Sequence, residues 1–257
     1  MAASKETPLR RTVVRQGPRK SYAFKSSKRL KAEARSSLIR NLPKPVFCVF
    51  LYMLSTAVLT ELIANFRSDS ALLSLLFSLI IFLVLGTRAK MLRIGLSGIF
   101  LRLHFRKDIK ISDLFYAFSS NSDTAVLCSV YLSLAELIFA LPLLIALSVG
   151  SPRSRVAYAV LIIALSLLSF LGSIFVRIRY AMCSYLFLDF PDLPAGTLVR
   201  GGAKMLRGHQ MRLFKLYLSF LPMYILAVLS FGIAGLWVTA YTHAAEAAFY
   251  RDLSLKI

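Results

Sequence analysis

Glu136, His243, Glu246 and Tyr250 are the residues on which chemistry could rest, because each stands inside an otherwise apolar stretch. An ionised group at the centre of a bilayer costs about 2.5–3.5 kcal/mol on the insertion scale, so such residues turn towards protein and find partners. At 100° per residue, Ser129, Ser133, Glu136 and Ala140 share an arc of about 60°, a small and polar seam suited to close helix contact, with Pro142 just beyond it to bend the helix. Thr239, His243, Glu246 and Tyr250 share a second arc of about the same width. Beside it runs the small-residue ridge Ala240, Ala244, Ala248, of the kind that lets two membrane helices approach closely.

Two readings of these residues are open. Glu136, His243 and Glu246 could line a proton or cation path, or hold a polar group of a substrate. Alternatively they close interhelical hydrogen bonds, with Glu246 pairing with Arg177 or Arg179. A metal centre is not expected, because His243 and Glu246 at i, i+3 are only two ligands and nothing else clusters with them. The chain has no phosphate-binding GxxxxGKS loop, no HExxH, no GxSxG and no GxGxxG between strand and helix. No enzymatic activity and no cofactor are expected.

The elements that would position these residues are membrane helices. Hydrophobic residues make up 57% of the 257 positions, and the mean hydropathy is +0.67, too apolar for a soluble domain whose helices must show water a polar face. The expected architecture is all-α: a polytopic bundle of about six transmembrane helices, at 46–65, 71–87, 125–149, 156–176, 213–231 and 234–250. The last two are separated only by Phe231 to Gly235, which predicts an antiparallel hairpin with a very tight turn. Cys48, Cys128 and Cys183 each lie in an apolar stretch with no CxxC spacing and are expected to be reduced packing residues in lipid.

Charge orients the bundle. Of the 32 Lys and Arg residues, only Arg67, Arg153 and Arg155 fall in the two loops that would face away from the cation-rich side, so both termini are expected in the cytoplasm. Residues 1–27 form a basic tail too poor in apolar residues to fold alone, and 28–257 form the membrane domain. Basic amphipathic helices are expected along the cytoplasmic interface: one at 27–41, with Leu30, Ala34 and Leu38 on one face, and one leaving the second span over 88–110, with Gly95 and Gly98 permitting a bend. A third begins at Asp192 and Pro194 and ends at Gly208; it presents Arg200, Lys204 and Arg207 as a lipid-binding face.

Anionic headgroups are the expected partner of this charge, at about 1 kcal/mol per cation near the surface. A membrane protein partner is the other possibility. Nucleic acid is not expected, since Tyr22 and Phe24 are the only aromatics before the first span and no nucleic-acid-binding fold is recognisable.

The C-terminal third carries a recognisable order of residues: Tyr180, Ala181, Asp189 and Pro191, then Gly208, His209, Arg212, Leu213 and Phe214. Gly232, Gly235, Leu236, Trp237 and Tyr241 follow, and Ala247, Ala248, Phe249 and Tyr250 close the run. This pattern resembles the end of a bacterial multi-pass membrane family catalogued as domain of unknown function 975. Lys31 to Leu42 and the segment Gly95 to Phe118, with Asp113, Leu114 and Phe115, are similar to earlier parts of that family, so the resemblance runs over about 28–253. One departure is Leu171-Gly172, where the family pattern has Pro-Gly. The resemblance implies a bacterial cell-membrane protein and names no reaction. It marks Gly208, His209 and Arg212 as a candidate site on the cytoplasmic face, which a helix stop and restart would equally explain.

Overall fold

The computed structural model describes residues 24–40, 42–64, 70–119, 121–149, 155–230 and 232–255. Nearly all of the basic tail 1–27 lies outside them. All regular structure among the described residues is helical: α1 (Ser27–Arg40), α2 (Pro43–Ala64), α3 (Ala71–His104), a 3-10 turn (Ile111–Phe115), α4 (Tyr116–Ser119), α5 (Ser122–Val149), α6 (Arg155–Arg179), α7 (Cys183–Asp189), α8 (Ala195–Met205), α9 (Gln210–Leu218), α10 (Leu221–Leu229) and α11 (Ile233–Ser254).

Four stretches of the described residues are long and apolar enough to cross a membrane: Ala71–His104, Ser122–Val149, Val156–Asp189 and Gln210–Leu229. Their outer faces carry large exposed apolar side chains, among them Ile80, Val84, Ile138, Ile145, Ile163 and Val228. A surface of this kind is too extensive for a protein surrounded by water and is compatible with a multi-pass membrane protein.

α3 organises the molecule. Its 34 residues span about 51 Å at 1.5 Å per residue, well beyond the ~30 Å of a hydrocarbon core. The apolar N-terminal half is open on its outside, whereas Met91 to Leu103 are largely buried in the protein. The helix expected to leave the second span over 88–110 does continue α3, but only to His104, and Met91 to Leu103 are largely buried in the protein core and not laid along a surface. Gly95 serves close approach rather than bending, since a Cβ there would lie 1.9 Å from the Leu114 carbonyl oxygen of the 3-10 turn. Asp113 locks that turn, accepting from the Lys110 backbone N–H at 3.0 Å and from Arg102 Nη1 at 3.1 Å.

α11 is the second axis, packed by α1, α2, α3 and α10. It is not among those four stretches, and its polar and small residues face protein: Ala240, Ala244, Ala248, His243 and Glu246 are all buried. The stripe Leu30, Ala34 and Leu38 of α1 is buried too, in contact with α11 and not with lipid, while Lys28, Arg29, Arg35 and Arg40 face outward. The three cysteines are likewise buried in protein contacts, and all are free thiols.

The expected continuous fifth span, 213–231, is interrupted between α9 and α10. Pro222 has no N–H to donate and its ring clashes with the carbonyl four residues back, so the helix tightens at Ser219–Phe220, where the Phe220 N–H turns to the Tyr217 carbonyl. The exposed Ser219 carbonyl receives Lys31 Nζ from α1 at 2.7 Å, and the same ammonium sits 4.2 Å from the centre of the Phe220 ring. The hairpin turn that follows is as tight as its glycines predict. Gly232 adopts φ +85°, a conformation that a side chain disfavours, and its N–H returns to the Ala227 carbonyl.

Candidate functional site

Glu246 is fully buried, and three side chains converge on it. Arg93 of α3 places Nη2 2.8 Å from Oε1, Tyr217 of α9 donates its hydroxyl to the same oxygen, and His243, one turn earlier on α11, holds Nδ1 3.2 Å from Oε2. That last pair is within ion-pairing distance but not aligned as a hydrogen bond. The imidazole also stacks on Phe100, 5.8 Å centre to centre. The partner of Glu246 is thus Arg93, not the expected Arg177 or Arg179. α3 is longer than a hydrocarbon core is thick and carries its C-terminal cations alongside α11, while Arg177 lies 5.9 Å from the centre of the Tyr217 ring.

Glu136 belongs to a different pair. Its Oε2 lies 2.6 Å from Lys90 Nζ, which also donates to Ser133 Oγ at 3.2 Å. The seam Ser129, Ser133 and Ala140 is buried, with Ser133 set against Gly86 of α3, where a Cβ would come 3.0 Å from its Oγ. Glu136, Lys90, Arg93 and Arg177 line one cleft between α3, α5, α6 and α7; Glu246 and His243 are sealed behind it and do not line it.

Tyr250 joins neither cluster. Its hydroxyl donates to Asp189 of α7, and its ring stacks on Tyr185 at 4.9 Å.

Gly208, His209 and Arg212 sit together where α8 gives way to α9. Gly208 takes φ +83° and stops the preceding turn, and His209 is the residue preceding α9. Arg212 donates to Asp252 Oδ2 at 2.9 Å and to the Lys25 carbonyl at 3.0 Å, with its guanidinium 4.3 Å from the Phe24 ring centre. The cluster pins the segment before α1 to the end of α11.

α8 ends at Met205, short of the expected Gly208, and its apolar side enters the core through Leu198 and Gly202; a Cβ on Gly202 would come 2.9 Å from the Cys183 backbone. Arg200, Lys204 and Arg207 all face outward, and none has a carboxylate partner among the described residues.

Lys90, Arg93 and Tyr217 complete these clusters and are not singled out by the sequence, whereas Asp189 enters it only as part of the family pattern. The signal for the first two was present: cations four and seven residues after Gly86, the last glycine of the apolar run, must either leave the membrane or meet carboxylates. No group of three or more metal-ligating side chains occurs among the described residues.

A family model described as Protein of unknown function (DUF975) matches residues 24–256, nearly the whole chain. No curated protein and no solved structure matches it.

Proposed function

The chain belongs to that family, and from this premise we propose that it is a six-span, non-enzymatic membrane component of the bacterial cell membrane, with both termini in the cytoplasm and its basic face engaging anionic lipid. The observation that carries this reading is the outward disposition of Arg200 and Lys204 on α8 and of Arg207 in the turn after it, none with a carboxylate partner among the described residues, while the other side of α8 is fixed in the core. Cations held on a rigid frame at a membrane boundary attract an anionic leaflet and gain little from remaining in water. The outward Lys28, Arg29, Arg35 and Arg40 of α1 add to the same field. Fifth and sixth spans would be supplied by α2 and α11, and the positive-inside bias sets the orientation.

The packing of the buried carboxylates favours this over transport. Glu246 is closed off by Arg93, Tyr217 and Phe100-stacked His243, and Glu136 is held by Lys90, so the two carboxylates are tied into separate pairs. Two measurements test the proposal together. Lipid co-purifying in mild detergent should be enriched in anionic species, and the enrichment should fall with high salt or in the Arg200→Gln, Lys204→Gln, Arg207→Gln variant. Proteoliposomes should show no proton flux above empty vesicles; flux that disappears in Glu136→Gln would contradict the reading.

A further inference from the structure

A cavity of about 240 Å³ lies between the start of α1, the first turns of α9 and the end of α11, lined by Lys25, Ser26, Ser27, Arg212, Lys215 and Phe249 among others, and by no acidic side chain. Arg212 fixes its shape. The guanidinium stands 4.3 Å from the Phe24 ring centre and 5.2 Å from that of Phe249, and Nη2 donates to the Lys25 carbonyl at 3.0 Å, which holds Lys25 to Ser27 against α9. Lys215, three residues after Arg212, projects from the same side of α9. The carboxylates nearby, Asp252 and Glu33, are engaged by Arg212 at 2.9 Å and by Lys25 Nζ at 2.6 Å, and neither lines the cavity. Lys215 is exposed and has no carboxylate partner among the described residues. The Ser26 and Ser27 hydroxyls are likewise open, with no hydrogen bond to another described residue.

Helix pairing sets the height of this cavity. Arg93 of α3 and Tyr217 of α9 meet on Glu246, so they stand at one level. Arg93 is about 33 Å along α3 from Ala71, where the apolar run begins, close to the ~30 Å thickness of a hydrocarbon core. Lys215 precedes Tyr217 and lies towards Arg212, whose partner Asp252 is beyond Glu246 on α11. The cavity therefore sits just outside that core, in the headgroup layer. From it the exposed side chains Phe214, Leu218, Leu221, Ile225 and Leu229 continue down α9 and α10, an apolar track for an acyl chain.

We infer that this cavity receives the phosphate of one anionic glycerophospholipid, with Lys215 Nζ and the Ser26 and Ser27 hydroxyls as donors and Arg212 as the fixed positive charge behind them. A phosphodiester presents only acceptors, which suits a wall of donors and cations without a carboxylate. A zwitterionic headgroup would bring its own cation against Lys215. The lipid source rests on the membrane reading above; the residues are distinct from those of the α8 face.

Native mass spectrometry of the full chain in mild detergent, with phosphatidylglycerol or phosphatidylcholine added, tests this. One phosphatidylglycerol should remain bound under activation that strips phosphatidylcholine. Lys215→Gln should weaken it by roughly fivefold, the effect of one cation beside an anionic headgroup, and Lys215→Arg should restore it. Ser26→Asp, which sets a carboxylate on the opposite wall, should lower retention as well. Both side chains are exposed, so these changes leave the core untouched. The Arg200→Gln, Lys204→Gln, Arg207→Gln variant should leave that one lipid in place. If inorganic phosphate gives a Lys215-dependent thermal stabilisation and phosphatidylglycerol is not retained, the anion site stands and the lipid source is overturned. Retention that falls only in the α8 variant overturns the cavity while leaving the surface reading intact. Equal retention of phosphatidylcholine, or retention indifferent to both Lys215→Gln and Ser26→Asp, also overturns it.

Discussion

Arg93 on α3 and Glu246 on α11 form the ion pair that joins the two axes of the protein, 2.8 Å apart with the carboxylate fully buried. The two partners are unequal: Glu246 is sealed, and the Arg93 side chain retains some exposure at the cleft. Removing Arg93 strands a buried charge, whereas removing the charge of Glu246 leaves a cation that can reach water. Arg93→Met should therefore destabilise by about 3–5 kcal/mol, and Glu246→Gln by markedly less. Thermal unfolding in detergent measures both, and equal losses would contradict the asymmetry.

Gly95 and Gly98 sit on one helix but meet different neighbours. An added methyl at Gly95 would strike the Leu114 backbone at 1.9 Å, whereas at Gly98 it meets the end of the Leu188 side chain at 3.3 Å. Gly95→Ala should cost about 1–3 kcal/mol or more, and Gly98→Ala should be tolerated, its gain in helix propensity offsetting any crowding. Paired melting curves decide this.

These glycines also show what the sequence could not reveal. Periodicity located α5 and α6 and the tight hairpin at Gly232, because lipid exposure demands long apolar runs and a two-helix turn demands a positive φ. It read 88–110 as a surface helix because alternating cations and apolar residues look the same whether the apolar face meets lipid or protein. What distinguishes the two is the burial of Met91 to Leu103 under the elements that pack on α3, among them α5, α7 and α11. The break before Pro222 is hidden in the sequence because the nine-residue helices on either side, α9 and α10, read together as one apolar stretch. Arg93 and Glu246 are 153 positions apart, and no local pattern joins them.

Lys31 bridges α1 to the break between α9 and α10 through the Ser219 carbonyl and the Phe220 ring. Lys31→Met keeps much of the aliphatic stem and loses the charge-assisted bond. A loss of about 1–3 kcal/mol is expected, with earlier hydrogen exchange at 219–223 than elsewhere in α9 and α10. Unchanged exchange at the break would show that the bridge is not stabilising.

Tyr250 donates to Asp189 while stacked on Tyr185. Tyr250→Phe preserves the stack and removes the donor, leaving a half-buried carboxylate without that bond. Stability should drop by about 1–3 kcal/mol, and Tyr250→Phe combined with Asp189→Asn should cost less than the sum of the two single changes. Additive losses in this cycle would exclude a direct interaction.

Because Cys48, Cys128 and Cys183 are buried, reporter thiols can be placed at Val149, 74% exposed at the end of α5, and at Lys204 on the outward face of α8. Labelling with a membrane-impermeant maleimide tests whether this chain spans a membrane with its cation-rich end inside. In intact cells Val149→Cys should be modified and Lys204→Cys protected until the membrane is permeabilised. Modification of Lys204→Cys from outside, or a chain that stays soluble and monodisperse without detergent, would contradict it.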